Sequence, residues 1–224
     1  MPIQRSKRMY LGIETSSKNC SVALWNDQGL IGFKEQVEDA FVHAELLHTM
    51  IEQLISETHV GFKDIEGVVV GRGPGSYTGL RIGVSCAKGI AFSLGVPMYS
   101  ISTLVLMGID TGIMESSHPV LLVMDARRNE VFGSWLKDGI LQDPMAIVFE
   151  EETRLSWGET IIVAGENASK LVPFLRSNDQ AIDTLPSARV MSDKQAKQWI
   201  KIEDLAYFEP QYVKAFVPTV SKKI

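Results

Sequence analysis

Apolar and polar positions change their rhythm several times along this chain, and each change marks a predicted element. Met9–Glu14 is a compact apolar run, and Cys20–Trp25 follows as a second, rich in β-favouring residues. Asn26-Asp27-Gln28-Gly29 is a strong turn signal, and Leu30–Val37 returns from it, so the chain opens with an antiparallel meander. Over residues 40–57 the spacing becomes helical. Leu46, Met50 and Leu54 lie on one ridge, and Leu47, Ile51 and Ile55 lie on the next. That apolar face is wider than one core stripe needs. Gly67–Val70 is a short, fully apolar strand of the kind found in the parallel part of a sheet. A glycine-rich stretch, residues 71–79, then opens a helix that runs to about Leu94. Gly95-Val96-Pro97 breaks it, and Val96–Ile101 gives another strand.

A second series begins after a helical stretch near Ser102–Met114. Val120–Ala126 reads as a strand, Arg127-Arg128-Asn129-Glu130 as a turn and Val131–Leu136 as the return strand. Ala146–Glu150 adds a third strand, Ile161–Ala164 a buried one, and Asn167–Arg176 a helix. The loose repetition of strands, helix, strand predicts a duplicated α/β architecture rather than a single doubly wound sheet. Residues 208–214, Phe-Glu-Pro-Gln-Tyr-Val-Lys, read as an extended docking segment, and the last ten residues as loose.

Composition narrows the class. The chain has 224 residues, 45% hydrophobic and 22% charged, an ordinary globular balance with room for one large domain or two small lobes. No apolar run reaches bilayer length, and the basic start leads into no signal-peptide apolar region, so a cytoplasmic protein is expected. Cys20 and Cys86 are too few for a disulfide framework and lack metal-type spacing; each reads as a small buried hydrophobe. A net charge of −5 without a basic stripe argues against nucleic-acid binding by this chain alone.

Candidate chemistry is sparse. The glycine-rich stretch is Gly71-Arg72-Gly73-Pro74-Gly75-Ser76-Tyr77-Thr78-Gly79. It fits either a phosphate or partner-loop site at a helix N-terminus, or a turn that packs the helix on the sheet. Neither nucleotide fingerprint is met, since Ser76 stands where a dinucleotide loop needs Gly and no Gly-Lys-Ser/Thr follows. A nucleophile elbow fails too, with Tyr77 in the nucleophile's place. His43 and His48, five apart on a helix, point about 140° from each other and cannot share a metal. They read as surface or interface residues. Glu14 and Asp125 end the first strand of each series and are placed either to flank a nucleotide cleft or to serve as turn residues. For Asp125 the turn reading is favoured, with Arg127 and Arg128 as charge partners. Gly79, Gly83, Ala87 and Ala91 form a small-residue ridge beside the apolar row Ile82, Cys86 and Ile90. With the wide face at 46–55, the two helices are either buried between lobes or, as the preferred reading, part of an intermolecular bundle.

Several of these stretches resemble the TsaB (YeaZ) family. The resemblance is carried by residues 71–83, by Ala87-Lys88-Gly89 and by Gly95-Val96-Pro97. Ile13-Glu14-Thr15-Ser16, residues 124–132 and Pro210-Gln211-Tyr212-Val213-Lys214 add to it, with lysine in place of the usual arginine at the end. It implies a duplicated actin-like fold of the sugar-kinase and heat-shock-chaperone type, with mixed sheets. One lobe would span 9–100 and carry the partner-binding helices, a second would span 101–215, and 1–8 and 216–224 would be flexible ends. It implies a non-catalytic scaffold beside a TsaD-type catalytic paralogue and a TsaE-type ATPase. That complex moves a threonylcarbamoyl group from its adenylate to the amino group of an adenosine beside the tRNA anticodon. The chain would pair with its own copy when alone, meet tRNA only through the complex, and need neither membrane nor cofactor.

The implied interface comprises His43, Leu46, Leu47, Met50, Ile51 and Leu54 on one helix, with Gly79, Ile82, Gly83, Cys86, Ala87 and Ile90 on the other. A nucleotide, phosphate or partner-loop site would use Glu14, Thr15, Ser16, Gly73, Gly75, Ser76 and Thr78. The catalytic paralogue carries a His-x-Glu-Gly-His metal motif soon after the same glycine region. Here the matching stretch is Ser100-Ile101-Ser102-Thr103-Leu104-Val105-Leu106-Met107, without a histidine or a carboxylate, so a catalytically silent subunit with no metal is expected. Two other readings remain: a nucleotide-binding actin-like ATPase working through Glu14, Thr15 and the glycine loop, and a metallopeptidase-like protein, which needs a metal or a nucleophile that the sequence does not assemble.

Overall fold

A computed structural model describes residues 8–38, 42–150 and 159–214. The flexible ends expected at 1–8 and 216–224 lie outside the described residues, Arg8 excepted, as do the first two residues of the helix expected at 40–57.

The opening meander forms as β1 (Met9–Glu14), β2 (Asn19–Asn26) and β3 (Gly29–Val37), with Leu11 opposite Leu24 and Ile13 opposite Val22. Next come α1 (His43–Thr58), β4 (Ile65–Gly71), α2 (Tyr77–Leu94) and β5 (Met98–Ile101), with β4 and β5 parallel to β1 and to each other. Ser76 caps α2, its hydroxyl accepting from the Gly79 N–H at 3.2 Å. Gly95, at φ 66°, ends the helix in the left-handed conformation that costs glycine least.

The chain then passes through α3 (Thr103–Asp110) into a second sheet. β6 (Val120–Asp125) and β7 (Glu130–Lys137) are antiparallel. β8 (Ile140–Leu141) and β9 (Met145–Val148) line the far edge of β7, where one strand over 146–150 was expected. β10 (Ile162–Gly165) and β11 (Gln180–Asp183) run parallel to β6. The helix expected over 167–176 is instead a 3-10 segment, Ala168–Phe174, because Pro173 lies inside it and cannot donate to an α-helical ladder. Finally β12 (Lys201–Glu203) returns to the first sheet and pairs antiparallel with β5.

The strand orders are β12-β5-β4-β1-β2-β3 and β11-β10-β6-β7-β8. Apart from β12, the two halves follow one plan: a three-strand antiparallel unit whose first strand is flanked by two parallel strands. The duplicated α/β architecture read from the sequence is the one observed.

Three cores bury the two sheets, and one of them joins the halves. Leu11, Ile13, Val22, Leu24, Val68 and Val70 bury the outer face of the first sheet against Leu47, Ile51 and Leu54 of α1 and Val84, Ala87 and Ala91 of α2. On its inner face, Ala23, Trp25, Val69 and Ile101 meet Leu122 and Met124 of the second sheet, with Leu104–Met107 of α3 packed into the same cluster. Leu121, Val123 and Val163 face the third core beneath Phe149 and Leu171. β2, β4 and β6 are therefore buried on both faces, which is why their sequences are continuous apolar runs rather than alternating ones.

Candidate functional site

Glu14 is the last residue of β1 and is completely buried. Its carboxylate accepts from the Ser16 backbone N–H at 2.7 Å and from the Thr103 hydroxyl at 3.0 Å. Burial drives its pKa up, and the bonds from Ser16 and Thr103 offset only part of that. The carboxylate lies over Gly71, where any side chain would collide with it.

The glycine-rich stretch wraps the turn that follows Glu14. The Ser76 N–H donates to the Ser16 carbonyl at 2.7 Å, and the Thr15 hydroxyl donates to the Gly79 carbonyl at 2.8 Å. A Cβ at Gly75 would collide with the Ser16 backbone, one at Gly79 with the Thr15 carbonyl, and one at Gly83 with the Thr15 hydroxyl. The close approach that these glycines permit is thus made by the chain's own Thr15 and Ser16. Gly73, at φ 99°, turns its carbonyl toward the Thr103 N–H at 3.0 Å. Glu14, Thr15, Ser16, Gly73, Gly75 and Ser76 therefore form one interlocked cluster, while Thr78 is exposed on the first turn of α2.

Asp125 occupies the same position in the second sheet, at the end of β6. It accepts from Lys170 Nζ at 2.8 Å, from Asn167 Nδ2 at 2.8 Å and from the Arg127 N–H at 2.9 Å. Its ion pair is with a lysine 45 residues further on, a partner that the sequence reading, which looked to the neighbouring Arg127 and Arg128, did not name. Burial would raise its pKa, but the bonds from Lys170, Asn167 and Arg127 outweigh that and hold it below the ordinary value. Beside it lies Glu166, following β10 and almost buried, whose carboxyl is pushed up to about 7 by burial first and by the Asp125 charge second; Lys18, from the turn after β1, offsets part of this. Glu166, Lys170 and Thr103 were not singled out from sequence, although an acid directly after a buried strand was a legible signal at Glu166.

The helix residues divide sharply. His43, Leu47, Met50, Ile51, Leu54, Gly79, Gly83, Cys86 and Ala87 are buried within the chain itself, whereas Leu46, Ile82 and Ile90 are half-buried on the outer surface. His43, read from sequence as a surface or interface residue, is held inside by a 2.7 Å contact from Nε2 to the Ser17 carbonyl. The small-residue ridge of α2 faces β1 and Thr15 rather than a foreign helix. Both cysteines are buried and free, with burial pushing Cys20 up to about 12 and Cys86 up to about 11. The segment 208–214 docks on its own chain: the Gln211 N–H donates to the Arg72 carbonyl at 2.8 Å, and the Tyr212 ring lies 4.9 Å from that of Tyr77. Among the described residues, no three His, Cys, Asp or Glu side chains come together as metal ligands, and no helix is long and apolar enough to cross a membrane.

Two sheets of one repeated order, each ending its first strand in an acid, define a duplicated α/β protein. YeaZ from Pseudomonas aeruginosa shares the fold with a TM-score of 0.75 at 24% identity, over 92% of this chain and 99% of that one. Residues 39–142 match the family model for TsaD, tRNA N6-adenosine threonylcarbamoyltransferase. TsaB, the tRNA threonylcarbamoyladenosine biosynthesis protein of Escherichia coli, is 35% identical over 122 residues, 54% of this chain and 52% of that protein. The Haemophilus influenzae TsaB is 32% identical over 124 residues, 55% and 52% respectively. The chain spans about half the length of the curated relatives it matches. In sequence over about half its length, and in fold over nearly all of it, the chain is similar to TsaB/YeaZ proteins.

Proposed function

We propose that this chain acts in tRNA threonylcarbamoyladenosine formation as a non-catalytic scaffold that binds and supports a TsaD-type catalytic subunit, with a TsaE-type ATPase as third component. The observation that carries the reading is α3. By the family resemblance, the catalytic paralogue's metal motif falls on residues 100–107, and here Leu104, Val105, Leu106 and Met107 are fully buried in the core shared by the two sheets. Ser100 and Thr103, the polar residues flanking that run, are committed to Glu203 and Glu14. Apolar side chains so placed serve packing and offer no donor to a metal ion.

The partner surface is the outer face of α1 and α2. Leu46, Ile82 and Ile90 stand half-buried there, and fully buried neighbours such as Leu47 and Ala87 brace them from below. The same face pairs two copies when the chain is alone. The lobes divide near residue 100, the site of action is the cytoplasm, and tRNA is gripped through the complex, consistent with the net charge of −5.

Co-expression with the TsaD-type subunit tests this. Ile82→Glu together with Ile90→Glu places two charges in the interface and is expected to abolish co-purification while the thermal unfolding of the chain stays near wild type. Normal co-purification of that variant, or threonylcarbamoyl transfer to tRNA by the isolated chain, would overturn the proposal.

A second reading rests on Glu14 and Asp125 at equivalent strand ends, the arrangement of an actin-like nucleotide cleft. ATP hydrolysis by the isolated chain, lost in Asp125→Asn, would favour it.

A further inference from the structure

The inner face of the first sheet carries a second feature, at the end of β1 opposite Glu14. Tyr10, Gly67 and Tyr99 stand on the adjacent strands β1, β4 and β5, Tyr10 paired with Gly67 and Val69 with Tyr99. Tyr10 stacks on Trp25 of β2, ring centroids 5.7 Å apart and planes inclined by 23°, and meets Tyr99 edge-on at 6.3 Å. A Cβ at Gly67 would press on both tyrosine rings and one at Gly12 on Trp25, so the two glycines let the rings lie close to the sheet. Met191 and Ile200, from the segment that precedes β12, help to wall the space above them, giving a cavity of about 700 Å³. That volume falls in the range of small-molecule sites.

The polar groups around the rings are charged. Arg8, Lys194 and Lys197 line the cavity with Asp27 and Asp193, and none of the five belongs to an ion pair among the described residues. Three cations around an aromatic floor suit a flat ring that carries an anion. Two carboxylates in the same wall accept hydrogen bonds from hydroxyls, which a sugar supplies. We propose that this cavity is a binding site for a nucleoside monophosphate: the base against Tyr10, Trp25 and Tyr99, the phosphate on Lys194, Lys197 and Arg8, and the ribose hydroxyls on Asp27 and Asp193. The site owes nothing to the glycine-rich loop and stands apart from the partner-binding role.

Calorimetric titration of the full chain with AMP, adenosine and inorganic phosphate tests it, with backbone amide NMR shifts locating the ligand. AMP binds at least about tenfold more tightly than adenosine or phosphate alone, since each fragment forfeits one set of contacts. The shifts fall on Gly67, Tyr99 and Lys194. Lys194→Ala with Lys197→Ala, both exposed, weakens AMP by about tenfold or more and leaves the urea midpoint unchanged. Absence of AMP binding at millimolar concentration, equal affinity in the double variant, or shifts confined to Gly73 and Gly75 would each overturn the proposal.

Discussion

Thr103 donates its hydroxyl to Oε2 of Glu14 at 3.0 Å, tying the first residue of α3 to the last residue of β1. Both residues are fully buried, so water cannot replace the bond. It joins the helix packed against both sheets to the strand at the centre of the first one, and it sets the turn on which the glycine-rich stretch closes.

Thr103→Val keeps the shape of the side chain and removes the donor. The buried carboxyl group then loses one of its hydrogen-bond donors, and a loss of about 1–3 kcal/mol in unfolding free energy is expected. Urea denaturation at neutral pH measures it. A midpoint equal to wild type would show that the bond contributes nothing.

Glu166 gives the protein a specific pH dependence. Its carboxyl ionises near the ordinary 4.5 in the unfolded chain but at about 7 in the folded one. Between those values the folded state holds a proton that the unfolded state has released, so stability falls as pH rises through this window. The separation corresponds to about 3 kcal/mol at most, fully lost above pH 7. Glu166→Gln is expected to flatten this slope. Urea midpoints of both proteins at pH 5 and pH 8 check it, and equal slopes would remove Glu166 from the account.

Two glycines of α2 predict opposite outcomes for the same substitution. Gly89 has open space where a Cβ would stand, so Gly89→Ala gains about 0.5–1 kcal/mol of helix propensity. At Gly83 the methyl meets the Thr15 hydroxyl, and Gly83→Ala is expected to cost about 1–3 kcal/mol from overpacking. Thermal unfolding of the pair measures the difference. A shift of the same sign in both would mean that Thr15 moves aside freely.

Position along α2 also separates folding from docking. Ala87 is fully buried against the sheet, and Ala87→Glu is expected to lower stability by several kcal/mol through an unpaired buried charge. Ile90→Glu, on the half-buried surface, changes stability by less than about 1 kcal/mol. Circular dichroism melting of the two distinguishes them, and comparable losses would mean that Ile90 belongs to the core.

The β-meander, α1, the strand–glycine–helix unit and the duplication were all legible in the chain, because each rests on local periodicity: apolar runs where a strand is buried on both faces, a 3.6-residue spacing where α1 covers a sheet, glycine and proline at the breaks. β12 was not. Lys201-Ile202-Glu203 holds one apolar residue, itself 69% exposed, and is a strand only because β5 presents an open edge.

The candidate site shows the same division. The sequence by itself determined that Glu14, Thr15 and Ser16 end a buried strand and that a glycine-rich turn opens α2. It also determined that no metal-type spacing is present. Tertiary structure alone decided that Gly75, Gly79 and Gly83 make room for the chain's own Thr15 and Ser16, that the salt-bridge partner of Asp125 is Lys170, and that Tyr10, Trp25 and Tyr99 meet around one cavity. The physical reason is common to all three. Periodicity reports which face of an element is buried, whereas the identity of what covers that face depends on contacts between residues dozens of positions apart, which no local pattern encodes.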